Sequence, residues 1–279
     1  MNTISFPSRQ SGSAIDTVIF DWAGTIVDFG SFAPTQVMVD VFAEAGVAIT
    51  LDEARGPMGL AKWDHIQALG RTPEIAARWC ERHGRDMSRE DVDAVYQNFM
   101  PLQVERVGRY SALIPGALQA VENLRARGIR IGSCSGYPRV VMDAVVPMAA
   151  EAGYAPDCVI ASDDLKAGGR PGPWMALANM IELASCDVAA CVKVDDTTPG
   201  ITEGLSAGMW TVGLSASGNE VGLSWEAWVA LTPDEQQACC RPAEDKLRGV
   251  GAHEVIRTVA DLPAALDRIE ARRARGERP

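Results

Sequence analysis

Five short apolar runs punctuate the chain and constrain its fold more than any other feature: TVIFD (17–21), IRIGSCS (129–135), CVIAS (158–162), ACVKVDD (190–196) and MWTVG (209–213). Each has the length and apolar content of a buried strand. Between them lie longer stretches of helical period, such as ALQAVENLRARG (117–128), PRVVMDAVVPMAAEAG (138–153), PWMALANMIELA (173–184) and GITEGLSAG (200–208). Strand alternating with helix predicts an α/β fold on a doubly wound parallel sheet. The rhythm stops between about 30 and 110, where only helical patterns occur: PTQVMVDVFAEAG, MGLAKWDHIQALG, PEIAARWCERHG and REDVDAVYQNFMPLQVERV. The expected organisation is an α/β core of residues 1–29 and 111–279 with an all-helical cap inserted at 30–110. In the last third, LSWEAWVAL and TPDEQQACC read as helical, HEVIRTV as a last strand and LPAALDRIEARRARG as a closing helix.

In open α/β sheets ligands bind beyond the carboxyl ends of the strands. Three of the predicted strands end in reactive groups, Asp21, Ser135 and the pair Asp195 and Asp196, so those ends are expected to converge on one site. The formal net charge of −11 argues against a sequence-independent grip on nucleic acid or an anionic membrane. An anionic substrate then needs a local cationic pocket. The seven cysteines are odd in number and lack CxxC spacing, which fits reduced thiols in a cytoplasm better than a secreted disulfide framework. Residues 1–16 carry no continuous apolar segment and read as a frayed leader, and no later run reaches membrane-spanning length.

Taken in order, Asp21 with Gly24 and Thr25, Ser135 with Gly136, Arg170 in GGRPGPW, and VDD (194–196) resemble the four signature motifs of the haloacid dehalogenase superfamily. The resemblance implies a Rossmann-like core, a first aspartate that attacks phosphorus, a hydroxyl group and a cation that hold the transferring oxygens, and terminal acids that hold magnesium. Carboxylate attack in line at phosphorus needs positioning and charge neutralisation more than proton chemistry, and hard oxygen ligands suit Mg2+. Phosphatases of this superfamily place an acid two residues after the nucleophile to protonate the departing alkoxide; that place is Ala23. A phosphorus–carbon bond would release a carbanion, which one carboxylic acid cannot rescue. An electron sink is required, and a lysine condensed with a neighbouring aldehyde supplies one.

Lys62 in ARGPMGLAKWDHIQAL (54–69) is such a lysine, with His65 three residues on along an expected helix and Met58 one turn before. That segment, with residues 20–37, 132–138, 169–175 and 203–213, resembles the phosphonatase family within the superfamily. The resemblance implies hydrolysis of phosphonoacetaldehyde to acetaldehyde and phosphate, with Mg2+ and a homodimer. Asp21 would be the nucleophile and a metal ligand, Ala23 would offer the metal its backbone carbonyl, and Asp196 its side chain. Lys62 would form the Schiff base, while Ser135, Gly136, Arg170 and Met58 would surround the substrate. His65 and Tyr137 are candidates for moving protons.

Some positions depart from the family pattern. Asp195 replaces a glycine, and Gly200 replaces an acid whose role Asp195 is expected to take. The loop before Arg170 is one glycine longer, so Lys166 could share its role, and Ser31 stands where relatives carry cysteine. His83 and His253 lack partners at metal-ligand spacing and read as packing or surface residues. Cys134 is expected to fill a buried strand face, while Trp22, Trp63 and Trp174 could wall the pocket or pack in the core. Three other readings remain open at this point: a dehalogenase that acts at carbon without metal, a silent protein that binds a phosphonate or phosphate, and a sugar-phosphate phosphatase.

Overall fold

The computed structural model describes residues 14–279. Most of the expected leader lies outside the described residues, but its last two positions are anchored. Ile15 is buried and its amide donates to Glu270 Oε1 at 3.0 Å, and Asp16 pairs with Arg130 at 2.8 Å.

Six strands form one parallel sheet: β1 (Thr17–Phe20), β2 (Arg130–Cys134), β3 (Cys158–Ile160), β4 (Cys191–Asp195), β5 (Trp210–Leu214) and β6 (Glu254–Ile256). Their order is β3-β2-β1-β4-β5-β6. The sequence runs outward from β1 to one side and then to the other, so the topology switches between β1 and β4. Helices cover both faces, which is why β1, β4 and β5 are buried along their whole length and read, Lys193 apart, as mainly apolar runs. In register, Phe20 lies opposite Ser133 of β2 and Val194 of β4, so the three carboxyl ends finish level.

Between about residues 30 and 110 the described chain forms helices and no named strand: α1 (Phe32–Glu44), α2 (Leu51–Arg55), α3 (Lys62–Gly70), α4 (Pro73–His83) and α5 (Arg89–Val107), with a short 3-10 turn at Gly108–Tyr110. These helices pack on an apolar cluster of their own, in which Phe42, Ile66, Leu69, Trp79, Val95 and Phe99 are buried. The remaining helices flank the sheet: α6 (Ala117–Ala126), α7 (Arg139–Glu151), α8 (Trp174–Glu182), α9 (Thr198–Ser206), α10 (Trp225–Val229), α11 (Pro233–Gly249) and α12 (Leu262–Ala274).

Two helix boundaries and one short helix differ from the sequence expectation. The predicted helix over MGLAKWDHIQALG begins only at Lys62, because Gly59 adopts φ +94°, a left-handed conformation that a helix cannot include. Helix α2 is too short for its period to be read, and a reciprocal capping box between Thr50 and Glu53 starts it. Helix α11 continues past Cys240 to Gly249, begun by the same device at Thr232 and Glu235.

Candidate active site

The switch between β1 and β4 opens a crevice, and the residues just past the strand ends line it. Asp21 follows β1, its amide donating to Val194 O at 3.0 Å, and Asp195 closes β4 with Asp196 next. Ligand atoms of all three buried carboxylates lie within 4.8 Å of one another. Asp196 is fixed by the Asn219 amide (2.8 Å to Oδ2) and the Thr25 hydroxyl (3.4 Å to Oδ1). Gly24 is required here: at φ +83° a Cβ would lie 2.5 Å from Asp196 Oδ2.

A buried ionic network underlies this cluster. Arg170 Nη2 reaches Asp21 Oδ1 at 2.7 Å and Asp195 Oδ2 at 3.2 Å, and its Nε donates to Glu203 at 2.9 Å. Lys193, pointing to the same side of β4 as Asp195, pairs with Asp195 at 2.5 Å and approaches Glu203 at 3.8 Å. Burial opposes the charges of Arg170, Lys193 and Asp195, but the pairing prevails. Arg170 and Lys193 are pushed above their ordinary range by the acids around them, and the two cations hold the Asp195 carboxyl below its own.

Asp196 stands apart from this balance, with no ion pair among the described residues. Burial, then the charges of Asp21 and Asp195, push its carboxyl well up. Burial and Asp195 lift Asp21 to about 6. Crowded oxygen donors short of positive charge are what a hard divalent cation would complete, so the residues present fit a metal ion. Within the trio, Asp21 and Asp196 are the freer donors. Asp195 already accepts from Lys193, Arg170 and both the amide (3.0 Å) and hydroxyl (2.7 Å) of Thr197. A Cβ on Gly200 would fall on the Asp195 carboxylate. That carboxylate therefore fills the volume a side chain at position 200 would enter.

The helical region faces these acids across the crevice. A cleft is lined from the sheet side by Asp21, Ala23, Ser135, Gly136, Tyr137 and Arg170 and from the helical side by Ser31, Met58, Gly59 and Lys62. Two glycines let the sides meet closely. A Cβ on Gly136 would lie 2.8 Å from the Leu60 carbonyl, and one on Gly59 would strike Thr197. Lys62, the first residue of α3, is thereby aimed into the cleft. Its ammonium is buried, 3.6 Å from Met58 Sδ and 5.4 Å from the Tyr137 ring centroid, with no carboxylate in ion-pair reach among the described residues. Burial, only partly offset by Asp21, brings its pKa down to about 8.

His65 is fully buried one turn along α3. Its Nε2 donates to the Ala54 carbonyl at 2.8 Å, which leaves Nδ1 as an acceptor without a partner in the protein. Burial and the nearby Lys62 hold its pKa near 3, so the ring is neutral. The Tyr137 hydroxyl is also buried and unpaired, and burial raises its pKa well above the phenol value.

The structure therefore gathers Asp21, Ala23, Met58, Lys62, Ser135, Gly136, Tyr137, Arg170, Asp195 and Asp196 around one crevice, with His65 just behind Lys62. Lys166 is exposed, and Arg170 holds the interior position alone. No tryptophan lines the cleft: Trp22 is buried against Tyr154, Trp63 bonds to Asp93, and Trp174 is largely exposed. His83 stacks on Trp79, and His253 accepts from the Thr211 amide, both packing roles. The sequence reading missed Lys193, Glu203, Thr197 and Asn219. A lysine inside an otherwise apolar central strand was the available signal for the first, since a buried charge needs a partner.

A doubly wound parallel sheet, a strand-end aspartate at its switch point and paired acids after the neighbouring strand define a haloacid dehalogenase-like hydrolase, and that family's pattern matches residues 15–208. The chain is 59% identical to the phosphonoacetaldehyde hydrolase of Aeromonas hydrophila, covering 95% of each, and 57% identical to that of Salmonella newport, covering 95% of this chain and 99% of the relative. A crystal structure of a phosphonoacetaldehyde hydrolase-like protein from Oleispira antarctica superposes with a TM-score of 0.93 at 42% identity, over 99% of this chain and 100% of that one. This chain belongs to the phosphonoacetaldehyde hydrolase family and is an enzyme.

Proposed function

We propose that the protein hydrolyses the phosphorus–carbon bond of phosphonoacetaldehyde to acetaldehyde and phosphate, through an imine on Lys62 and a phosphoryl ester on Asp21. One observation carries this reading: a buried lysine, unpaired and with its pKa lowered to about 8, faces Asp21 where the position two residues on is Ala23. The site thus offers an amine able to lose its proton, and at position 23 no carboxylic acid to protonate an alkoxide. The names and identities of the relatives support the same substrate.

Neutral Lys62 adds to the aldehyde carbon, and the adduct takes up a proton and loses water to give a protonated imine. The His65 Nδ1 lone pair and the Tyr137 hydroxyl are the buried groups suited to pass protons in these steps. Asp21 then attacks phosphorus in line. The phosphorus–carbon electron pair moves into the imine and leaves a neutral enamine on Lys62. Proton uptake at carbon restores an imine, whose hydrolysis frees acetaldehyde and the amine. Water cleaves the phosphoryl ester to return Asp21 and release phosphate. Arg170 and Ser135 hold the phosphonyl oxygens, and Arg170 also orients Asp21 through the 2.7 Å contact.

Asp21, Asp196 and the Ala23 carbonyl would hold Mg2+, which neutralises charge on the phosphonyl oxygens when bound. Asp195 serves that centre indirectly, in place of an acid at position 200. We further propose that residues 30–110 act as a cap that closes on the core, since they pack on their own apolar cluster and meet the sheet through glycine contacts. Water is then excluded while the imine forms. A cytoplasmic homodimer completes the reading. The apolar groove of Tyr96, Met100, Pro101, Val104 and Val140 supports self-association, and light scattering tests it.

The decisive test is borohydride trapping. Incubation with phosphonoacetaldehyde and Mg2+, reduction and peptide mapping should find a two-carbon adduct on Lys62, with phosphate released in unreduced samples. Phosphate release without that adduct would remove the imine route.

A further inference from the structure

We infer that Arg55 and Asn219 are positioning residues that couple the seating of the helical region to the orientation of Asp196. Arg55 ends α2 on the helical side. Its Nη1 donates to Gly30 O (2.8 Å), Asn219 O (2.9 Å) and Asn219 Oδ1 (3.3 Å), its Nη2 reaches Gly222 O at 3.4 Å, and its guanidinium lies 5.3 Å from the Phe32 ring centroid. Asn219 returns the contact, donating from Nδ2 to the Arg55 carbonyl at 3.1 Å. Gly222, at φ +60°, gives the guanidinium room, since a Cβ there would lie 2.5 Å from Arg55 Cζ.

The node joins three segments. Gly30 belongs to the strained connection from β1 to α1, where Asp28, Gly30 and Ser31 all have positive φ. Arg55 belongs to the helical region, and Asn219 lies in the loop after β5. The two ends of Asn219 face different partners: its buried side-chain amide is held by Arg55, and its backbone N–H donates to Asp196 Oδ2 at 2.8 Å. Asn219 is thus tied both to the helical region and to a carboxylate of the cation site. Seating Arg55 fixes the Asn219 peptide, and that peptide fixes the carboxylate.

This inference rests on the Mg2+ reading above, and its sign separates it from simple electrostatics. Arg55 is a positive charge felt by Asp196. By charge alone, Arg55→Ala removes a repulsion and tightens divalent-cation binding. Through Asn219 the same substitution loosens the Asp196 carboxylate and weakens binding.

The test titrates Mg2+ alone into the full-length protein, read by calorimetry and by tryptophan fluorescence, with kcat and KM measured alongside. Arg55→Ala and Asn219→Ala are each expected to weaken Mg2+ binding by about 2- to 30-fold, the usual range of coupling through a packed network. The double variant should bind no worse than the weaker single one, because the pair acts as a unit. Arg55→Lys keeps the charge but loses the fork, so it should fall between parent and Arg55→Ala, and it serves if the alanine variant fails to fold. Tighter or unchanged binding in the single variants, or additive losses in the double, would overturn the coupling. A parent protein that binds no Mg2+ would remove the cation reading and the coupling with it.

Discussion

Two buried lysines lie on opposite sides of the crevice, Lys62 lining it and Lys193 beneath its acids, and the contrast between them separates the tasks of the two regions. Lys193, in the central strand β4, is enclosed by Asp195 and Glu203, and its pKa is driven up. Lys62, at the start of α3, has a thioether and an aromatic ring as its nearest partners, and its pKa falls to about 8. Both lose the same favourable hydration. What differs is the number of carboxylates within reach, so the sheet keeps a permanent cation and the helical region keeps an amine that can be neutral. The sheet side is preorganised electrostatics. On the proposed reading, the helical side carries the reactive group, and closure brings the two together.

Methionine substitutions at the two lysines should give opposite profiles. Lys62→Met is expected to lower turnover by at least about 10³-fold, as the removal of a reacting group does, with folding stability unchanged or raised because an unpaired buried charge is gone. Lys193→Met leaves Asp195 and Glu203 to share Arg170 as their one ion-pair partner among the described residues, and should cost about 3–5 kcal/mol of stability. Urea unfolding and steady-state kinetics on both variants check this. Loss of stability in Lys62→Met comparable to that in Lys193→Met would break the comparison.

The same contrast marks what the sequence could tell. Strands that are largely buried are short, mostly apolar runs, so β1 to β5 and the acids at their ends are visible without any long-range information. Lys62 was visible through its segment. Glu203 was not, because a glutamate on α9 acquires meaning only from Arg170 and Lys193, which other elements deliver. Asn219 was hidden for the same reason. The start of α3 was misread because periodicity cannot sense the left-handed turn at Gly59. The leader expected over residues 1–16 does not include Ile15, whose amide is held by Glu270 at the far end of the chain, a contact that no local pattern signals.

The approach of the two regions can be loosened without touching either lysine. A methyl at position 136 would lie 2.8 Å from the Leu60 carbonyl, a backbone atom that cannot swing aside. Gly136→Ala should therefore hold the helical region off the sheet and misplace Lys62 relative to Asp21. Displacements of about 1 Å can cost 10²-fold, so a fall in kcat/KM of about 10- to 100-fold is expected. Thermal stability should change little, and borohydride labelling of Lys62 should fall in parallel. Gly249→Ala is the matched control, because an added Cβ there meets nothing within 4 Å. Equal behaviour of the two variants would mean that the close contact at Gly136 does not set the reacting distance.

The gentlest probe of the comparison is pH. Only the neutral amine attacks an aldehyde, so a pKa lowered from 10.5 to about 8 raises the reactive fraction at pH 7. The gain is roughly 300-fold, to about a tenth of the molecules. The kcat/KM for phosphonoacetaldehyde should accordingly rise with pH and level off above about 8. Lys193 contributes no limb in this range, because its acids keep it protonated throughout. Stability follows with a definite sign. Between about pH 8 and 10.5 the unfolded chain binds the Lys62 proton and the folded protein does not, so this group favours folding increasingly as pH rises. The difference in stability between parent and Lys62→Met should shift in the parent's favour across that window. A rate limb near 10.5, with no such shift, would mean that Lys62 is solvated in the working enzyme and that closure does not desolvate it.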